Sequence, residues 1–398
     1  MKMKKKLFFT IDSLACAGAE KSLITLLNKI DYSRFEVDLL LFSRGGELEP
    51  LIPKEVNVMK QLNYFLKAGT PIIQSIKEVK NKEDLLHLRS RISYSLKMRV
   101  FQGGNIKKAR LFWNSSSSTI EQINNEYDIA IAYAQGAPTF FVVDKVIARK
   151  KIVWVNAIYE LESKEKVFQK PFYDSVDAIV TVSDAAMNAF MQNYPEYKNK
   201  IKVIYDLIDA EIINTMADKE IMLAKKNEIT ILTIGRLSKL KGFDLAIDAC
   251  EILMKKGHNF KWYVLGKGPL KLEIEEVILR KGLKDHFVLL GVDPNPYPYI
   301  KKADIYVQTS RDEGFGLAIA EARMLNTPVV STNFQTAYDQ IIDRHNGLIS
   351  KMNGADIADK ISLLIEDPIL RNTIINNLKK EKKGNAEELI KIYDLIAE

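Results

Sequence analysis

Short apolar runs recur along this chain, separated by stretches long enough to hold a helix. In the first half they fall near residues 6–11, 35–42, 56–59, 127–133, 151–155, 178–182 and 201–205. In the second half Ile229 to Ile234 is a β-branched run typical of a buried strand. Tyr263-Val264-Leu265, Ala303 to Gln308 and Thr327 to Ser331 read the same way. Near-continuous apolar strands alternating with helical segments predict α/β architecture with parallel, doubly wound sheets. The chain has 398 residues, enough for two domains each with its own core. The polar stretch Asp209 to Glu228 precedes the strong Ile229 strand and is the predicted place of the domain boundary.

The richest chemistry lies in Glu313-Gly314-Phe315-Gly316-Leu317-Ala318-Ile319-Ala320-Glu321. Two carboxylates stand eight positions apart, with glycines opening an apolar helix between them. A helix N-terminus offers free N–H groups and partial positive charge, which suit an anion. Gly314 and Gly316 let a ligand approach the backbone. Glu313 is expected at the helix mouth and Glu321 about 12 Å further along it. A nucleotide-sugar spans such a distance, and carboxylates accept hydrogen bonds from its hydroxyls. The alternative is a capped surface helix in which Glu313 only complements the macrodipole and Glu321 faces solvent. The apolar Ala318, Ile319, Ala320 and Ala322 speak against it, because a buried carboxylate needs a partner.

A second cluster follows the Ile229 strand. Gly235-Arg236-Leu237 and Lys239-Leu240-Lys241-Gly242-Phe243 precede a helix expected over Asp244 to Lys256. Arg236 offers a planar fork and Lys241 a compact charge. Both are placed at the carboxyl edge of a sheet, where α/β proteins bind ligands. Gly266-Lys267-Gly268-Pro269 follows the next strand.

Together these segments and Val288-Leu289-Leu290-Gly291 resemble the donor-binding half of retaining glycosyltransferases of family 4, over about residues 229 to 350. The resemblance implies a GT-B fold, two Rossmann-like domains facing an inter-domain cleft. The domains implied are 1–208 for the acceptor, 209–382 for the nucleotide-sugar, and a helix at 383–398 crossing back. It implies that Arg236 and Lys241 hold the donor diphosphate and that Glu313 contacts the transferred sugar. Glu321 would bind the ribose, while backbone around Gly314, Phe315, Gly316 and Leu317 completes the site. Gly18, Gly266 and Gly268 join the donor-binding set. Gly18 lies in Ala17-Gly18-Ala19-Glu20, similar to the family's Gly-Gly-x-Glu loop, with Ala17 replacing one glycine. Trp154-Val155-Asn156 stands where relatives carry Trp-x-His. Asn156 is therefore a candidate sugar or acceptor contact that hydrogen-bonds but carries no proton. Asp206 takes a place where asparagine is common.

Charge singles out the segment 60–126, too long for an ordinary connection. Residues 60–110 hold twelve Lys or Arg against Glu78, Glu83 and Asp84, a surplus of nine where the whole chain has seven. Apolar and aromatic residues interleave with them, among them Tyr64, Phe65, Tyr94, Leu96, Val100, Phe101, Phe112 and Trp113. Three readings stay open: a helix pair on an anionic membrane, through residues 60–113, a nucleic-acid patch without a matching motif, and a solvated basic face packed on the domain. No apolar run approaches the roughly 20 residues that cross a bilayer. Met1 to Lys6 followed by Leu7-Phe8-Phe9 has the look of a signal peptide, but Asp12 interrupts it, so it reads as the first strand. Cys16 and Cys250 predict no disulfide framework, in keeping with a reducing cytoplasm, and the basic insertion would make the protein peripheral at the inner membrane face. His87, His258, His286 and His345 are scattered and no Asp-x-Asp occurs, so neither a metal nor another cofactor is expected.

The expected reaction moves a hexose from a nucleoside diphosphate, UDP by family habit, to a hydroxyl of a glycan or lipid-linked acceptor. Retention through same-face displacement is what the resemblance implies, in bacterial surface polysaccharide synthesis such as a capsule. Rival readings are a nucleotide-sugar epimerase, which lacks acids and bases in the first half, and a catalytically silent GT-B subunit that binds sugar or stabilises a partner.

Overall fold

The computed structural model describes residues 4–100, 104–157, 161–221, 223 and 228–397. They fall into two compact units, one of residues 1–15, 19–205 and 389–398, the other of 16–18 and 206–388.

The first unit holds a seven-stranded sheet. Its strands are β1 (Lys5–Ile11), β2 (Phe35–Leu41), β3 (Asn57–Val58), β4 (Ile123–Ala132), β5 (Val146–Val155), β6 (Ala178–Thr181) and β7 (Ile201–Val203). The order is β3-β2-β1-β4-β5-β6-β7. Every pairing is parallel. The chain's first apolar run is thus a central strand, with Phe8 and Phe9 fully buried. The second unit holds β8 (Ile229–Ile234), β9 (Phe260–Leu265), β10 (Phe287–Gly291), β11 (Ile305–Gln308), β12 (Val329–Thr332) and β13 (Gly347–Ser350). Their order, β10-β9-β8-β11-β12-β13, is also wholly parallel. Strand order reverses between β1 and β4 in one sheet and between β8 and β11 in the other. Those are the switch points where doubly wound sheets open a crevice at their carboxyl ends.

The apolar runs are continuous because both faces of each sheet are covered. In the second unit neighbouring residues part company by strand period. Ile231 and Ile305 pack with the helices Phe243–Lys255 and Gly354–Glu366, whereas Leu232 and Tyr306 pack with Ala210–Ala217 and Leu317–Met324.

The boundary differs from the expected one. It falls between Tyr205 and Asp206, because the stretch from 209 folds onto the second unit. The Asp209 carboxylate caps the helix Ala210–Ala217 by accepting from the N–H of Glu211 and Ile212, at 3.0 and 3.1 Å. Ile213 and Ala217 then enter the core. Residues 222 and 224–227 of that stretch lie outside the described residues. The last helix, Ala386–Ala397, changes unit after Glu388. Lysines satisfy its terminal carbonyls: Lys5 Nζ donates to the oxygens of Ile396 and Ala397, each at 3.0 Å, and Lys150 Nζ to Leu395 at 2.8 Å.

Among its described residues the basic insertion forms four helices rather than a pair: Asn63–Ala68, Ile72–Lys77, Lys82–Val100 and Asn105–Ser116. Tyr64, Phe65, Leu111 and Trp113 bury inward, and the Trp113 indole donates to Asp144 at 2.8 Å. Ile73, Ile76, Leu96 and Val100 remain exposed on the outside. Phe101 lies outside the described residues.

Candidate active site

The site in the second unit is assembled where its strand order reverses. The segments following β8 and β11 lock together there. Lys239–Lys241 forms one 3₁₀ turn ending in Gly242, which has φ +64°. A Cβ at Gly242 would stand 2.0 Å from the Thr309 carbonyl oxygen, so only glycine allows this approach. Thr309 Oγ1 donates to the Lys241 carbonyl at 2.9 Å, and Arg311 N–H donates to that of Leu240 at 2.7 Å. The Arg311 guanidinium grips Asp244 in bidentate fashion, at 2.9 and 2.6 Å. It raises its own pKa and lowers that of Asp244 by this bond.

This locking carries Lys241 onto Glu313. The lysine stem lies over Gly235 and its Nζ donates to Glu313 Oε1 at 2.5 Å. Two more donors meet the same oxygen: Ser310 Oγ at 2.6 Å and Gln308 Nε2 at 2.9 Å. Glu313 Oε2 has no donor among the described residues and remains available to a ligand. Below, the Tyr306 hydroxyl donates to Gln308 Oε1 at 2.5 Å. Burial first, then the charges of Glu313 and Glu321, push the Tyr306 phenol well above its ordinary range. It therefore stays a neutral donor. One tyrosine thus feels both carboxylates singled out in the sequence.

The helix expected after Gly314 starts later than the glycine pattern suggested. It spans Leu317–Met324, with Gly316 as N-cap at φ +85° and no side chain capping it. Glu313 is therefore in the preceding loop and not at the helix mouth, and the 12 Å helical ruler between Glu313 and Glu321 does not apply. The loop is nonetheless held. Gln340 Nε2 donates to the Phe315 carbonyl at 2.5 Å, and Thr336 Oγ1 to that of Glu313 at 3.0 Å. The first-turn N–H groups of Leu317 and Ala318 have no intrahelical acceptor. Glu321, only 2% exposed, accepts from the Tyr297 hydroxyl at 3.2 Å. Burial, then the Glu321 charge, holds that phenol protonated.

Arg236 is exposed at the end of β8 and makes no ion pair or side-chain hydrogen bond with a described residue. Gly266 and Gly268 have a structural reason of their own. A Cβ there would stand 1.9 Å from the Gly235 oxygen and 2.3 Å from the Leu237 oxygen. The loops after β8 and β9 zip together through Gly235 N–H to Leu265 and Leu237 N–H to Lys267, both 3.0 Å. Those two bonds, made by its chain neighbours Gly235 and Leu237, fix the backbone on either side of Arg236.

Two candidates lie outside this cluster. Gly18 opens the helix Gly18–Lys29, and a Cβ there would meet nothing within 4 Å, so no packing demands glycine. Asn156 follows β5 in the first unit. Its Nδ2 donates to the Tyr133 carbonyl at 2.6 Å and its N–H to Gln135 Oε1 at 2.9 Å. Its Oδ1 is buried without a partner, which leaves one acceptor for a ligand. His87 is a core residue, with Nε2 bonded to the Thr119 carbonyl at 3.0 Å.

Sequence reading missed Tyr297, Gln308, Ser310, Thr336 and Gln340. Gln308 left a trace, a polar residue ending an otherwise apolar strand. Gln340 left none, because only the fold brings it to Phe315.

Comparison with known proteins bears on this geometry. Residues 215–381 match the family model Glycosyl transferases group 1. That match encloses the whole Lys241–Glu313–Glu321 cluster. Over 383 residues the chain is 26% identical to N-acetylgalactosamine-N,N'-diacetylbacillosaminyl-diphospho-undecaprenol 4-alpha-N-acetylgalactosaminyltransferase of Campylobacter jejuni, covering 96% of this chain and 95% of that protein. The capsular polysaccharide biosynthesis glycosyltransferase CapM of Staphylococcus aureus is 27% identical over 231 residues, covering 54% of this chain and 61% of CapM. Among solved structures, Anabaena HepE in complex with UDP and glucose superposes with a TM-score of 0.68 at 20% identity, over 99% of this chain and 98% of HepE. The fold is GT-B, two Rossmann-like units.

Proposed function

We propose that this protein is a retaining glycosyltransferase that moves a hexose from a UDP-sugar to a hydroxyl of a glycan or lipid-linked acceptor in bacterial surface polysaccharide synthesis. One observation carries the reading. At the switch point of the second sheet, Lys241 and two neutral donors occupy one oxygen of Glu313 and leave the other free. A carboxylate fixed in this way is preorganised to accept a sugar hydroxyl. Arg236 and Lys241 would neutralise the leaving diphosphate as the glycosidic bond breaks, together with the first-turn N–H groups beyond Gly316. Glu321, steadied by Tyr297, would take the ribose hydroxyls. The leaving phosphate would accept the acceptor's proton on the same face, which gives retention. The relatives' names support the substrate classes: one acts on a diphospho-undecaprenol-linked glycan, one is capsular, and HepE was solved with UDP. Charge neutralisation by two side chains makes the reaction independent of a divalent ion, so EDTA should leave turnover unchanged.

Donor hydrolysis and a thermal-shift panel of nucleotide-sugars test the reading. UDP-sugars should raise the melting temperature and be slowly hydrolysed. A folded protein with neither response would be the silent subunit instead.

The insertion supplies the second part of this proposal. Exposed Ile73, Ile76, Leu96 and Val100 stand among the surplus lysines and arginines, a mixture suited to an anionic bilayer surface. Among the described residues no helix is long and apolar enough to cross a membrane, so such binding would be peripheral. Co-sedimentation with anionic but not neutral vesicles at low salt is the expected result.

A further inference from the structure

The helix Leu317–Met324, which carries Glu321, is only eight residues long. Helices this short are marginal in water, so tertiary contacts decide where their side chains stand. Its inward face is poorly suited to that task. Ile319, Ala320 and Ala322 are buried, but alanine fills little space and offers no directional bond. A buried carboxylate, as Glu321 is, must nevertheless meet its ligand at a fixed place.

A chain of hydrogen bonds holds this helix from both ends. At its start Gln340 Nε2 donates to the Phe315 carbonyl at 2.5 Å and, more weakly, to that of the N-cap Gly316 at 3.4 Å. The Gln340 carbonyl in turn accepts from Asn346 Nδ2 at 3.2 Å. Asn346 is 2% exposed and stands immediately before β13. Its Oδ1 accepts from the Ile342 N–H at 2.7 Å, and its Nδ2 also donates to Glu381 Oε1 at 2.7 Å. The second carboxylate oxygen, Glu381 Oε2, accepts from Arg323 Nη2 at 2.9 Å. Arg323 lies in the last turn of the same helix. The bonds therefore leave the helix at its N-cap and return to it just beyond Glu321.

Lys383 reinforces the return. Its Nζ donates to the Arg323 carbonyl at 2.9 Å and to Asn326 Oδ1 at 3.0 Å. A lysine there suits both the last carbonyls and the negative end of the helix dipole. Asn326 has φ +61°, a left-handed turn that asparagine tolerates and that ends the helix. Arg323 Nε is buried without a hydrogen-bond partner among the described residues, which makes the guanidinium depend on Glu381.

On the basis of the transferase reading above, we infer that Asn346, Glu381 and Arg323 are positioning residues. They set the height and rotation of helix Leu317–Met324, and so the place at which Glu321 meets the donor's ribose. Directional bonds do this better than packing. An apolar face tolerates a small slide, whereas a carboxylate shared between a buried amide and a guanidinium loses both bonds when either partner moves.

Calorimetry on the full chain, comparing UDP with 2′-deoxy-UDP, tests the assignment. The parent should bind UDP roughly tenfold more tightly or better, the worth of one hydrogen bond to a charged acceptor. In Glu381→Gln and Asn346→Ala that ratio should fall to about twofold, with the affinity for 2′-deoxy-UDP within about threefold of the parent's. Arg323→Ala, at a side chain 20% exposed, should do the same and serves where a more buried substitution does not fold. Arg323→Lys keeps a cation opposite Glu381 and should retain most of the discrimination. Circular dichroism identifies the folded variants. An unchanged ratio in them means that packing alone places the helix and overturns the inference. An equal loss for both nucleotides means that the bonds serve stability only and overturns it too. A parent that binds both nucleotides alike would instead remove the ribose assignment of Glu321, and the inference with it. A parent that binds neither would remove the donor reading as a whole.

Discussion

At the scale of single residues, three donors on one oxygen of Glu313 explain why Gln308 sits where an apolar residue would otherwise pack. Gln308→Leu would remove one donor and leave the buried Tyr306 hydroxyl only its long 3.4 Å bond to the Ile234 carbonyl. A loss of about 1–3 kcal/mol is expected in urea denaturation, the cost of an unsatisfied buried polar group. Lys241→Ala should reduce kcat/KM for the donor by roughly a hundredfold or more, as for other preorganised groups facing developing charge. Glu321→Ala should weaken donor binding, and a 2′-deoxy donor should lose the effect. Desolvation raises the Asp12 carboxyl from 3.8 to about 6, although the residue keeps contact with solvent and its effect on stability is correspondingly small. Between those values the folded state binds the extra proton, so stability should decline as pH rises through that window and level off above it. Urea midpoints for the parent and Asp12→Asn, compared at pH 4 and pH 7, check the sign: the variant should show the smaller decline. The acids Glu313 and Glu321 and the cations Arg236 and Lys241 were all legible in the sequence as chemistry. Their supporting residues Tyr297 and Gln340 were not, because each reaches the site from a distant part of the chain.

At the scale of elements, glycine has two different tasks in loops that look alike. Gly316 sets the left-handed turn that starts the helix carrying Glu321. Gly266 and Gly268 instead let two strand-end loops touch. Gly266→Ala should therefore push the β9 loop off Gly235, costing about 2 kcal/mol or more in chemical denaturation. The insertion behaves in the opposite way. Ile73→Glu and Ile76→Glu sit at exposed positions and should change stability by no more than about 0.5 kcal/mol. They should nonetheless lower binding to anionic vesicles. Most strands were readable from their apolar runs, but β4 and β5 include polar stretches, Asn124 to Glu126 and Arg149 to Lys151, that no apolar run marks. The start of helix Leu317–Met324 was not, because glycine spacing marks a turn without saying which residue leaves it.

At the scale of the whole molecule, each unit has a parallel sheet and a core of its own. A ligand held by one unit alone should stabilise that unit's unfolding transition. Saturation with UDP at a hundredfold excess over its Kd should add about 2.7 kcal/mol there. Lys241→Ala should abolish most of the shift in scanning calorimetry. Alternation of buried strands with helices, the acids at 313 and 321, and the basic surplus of the insertion are properties of local order, so the sequence alone determined them. Which residues share a site was decided by the tertiary structure. Strand order brings the ends of β8 and β11 side by side across some seventy residues of chain. Hydrogen bonds and steric exclusion act over a few ångströms of space, and no spacing along the chain encodes that proximity.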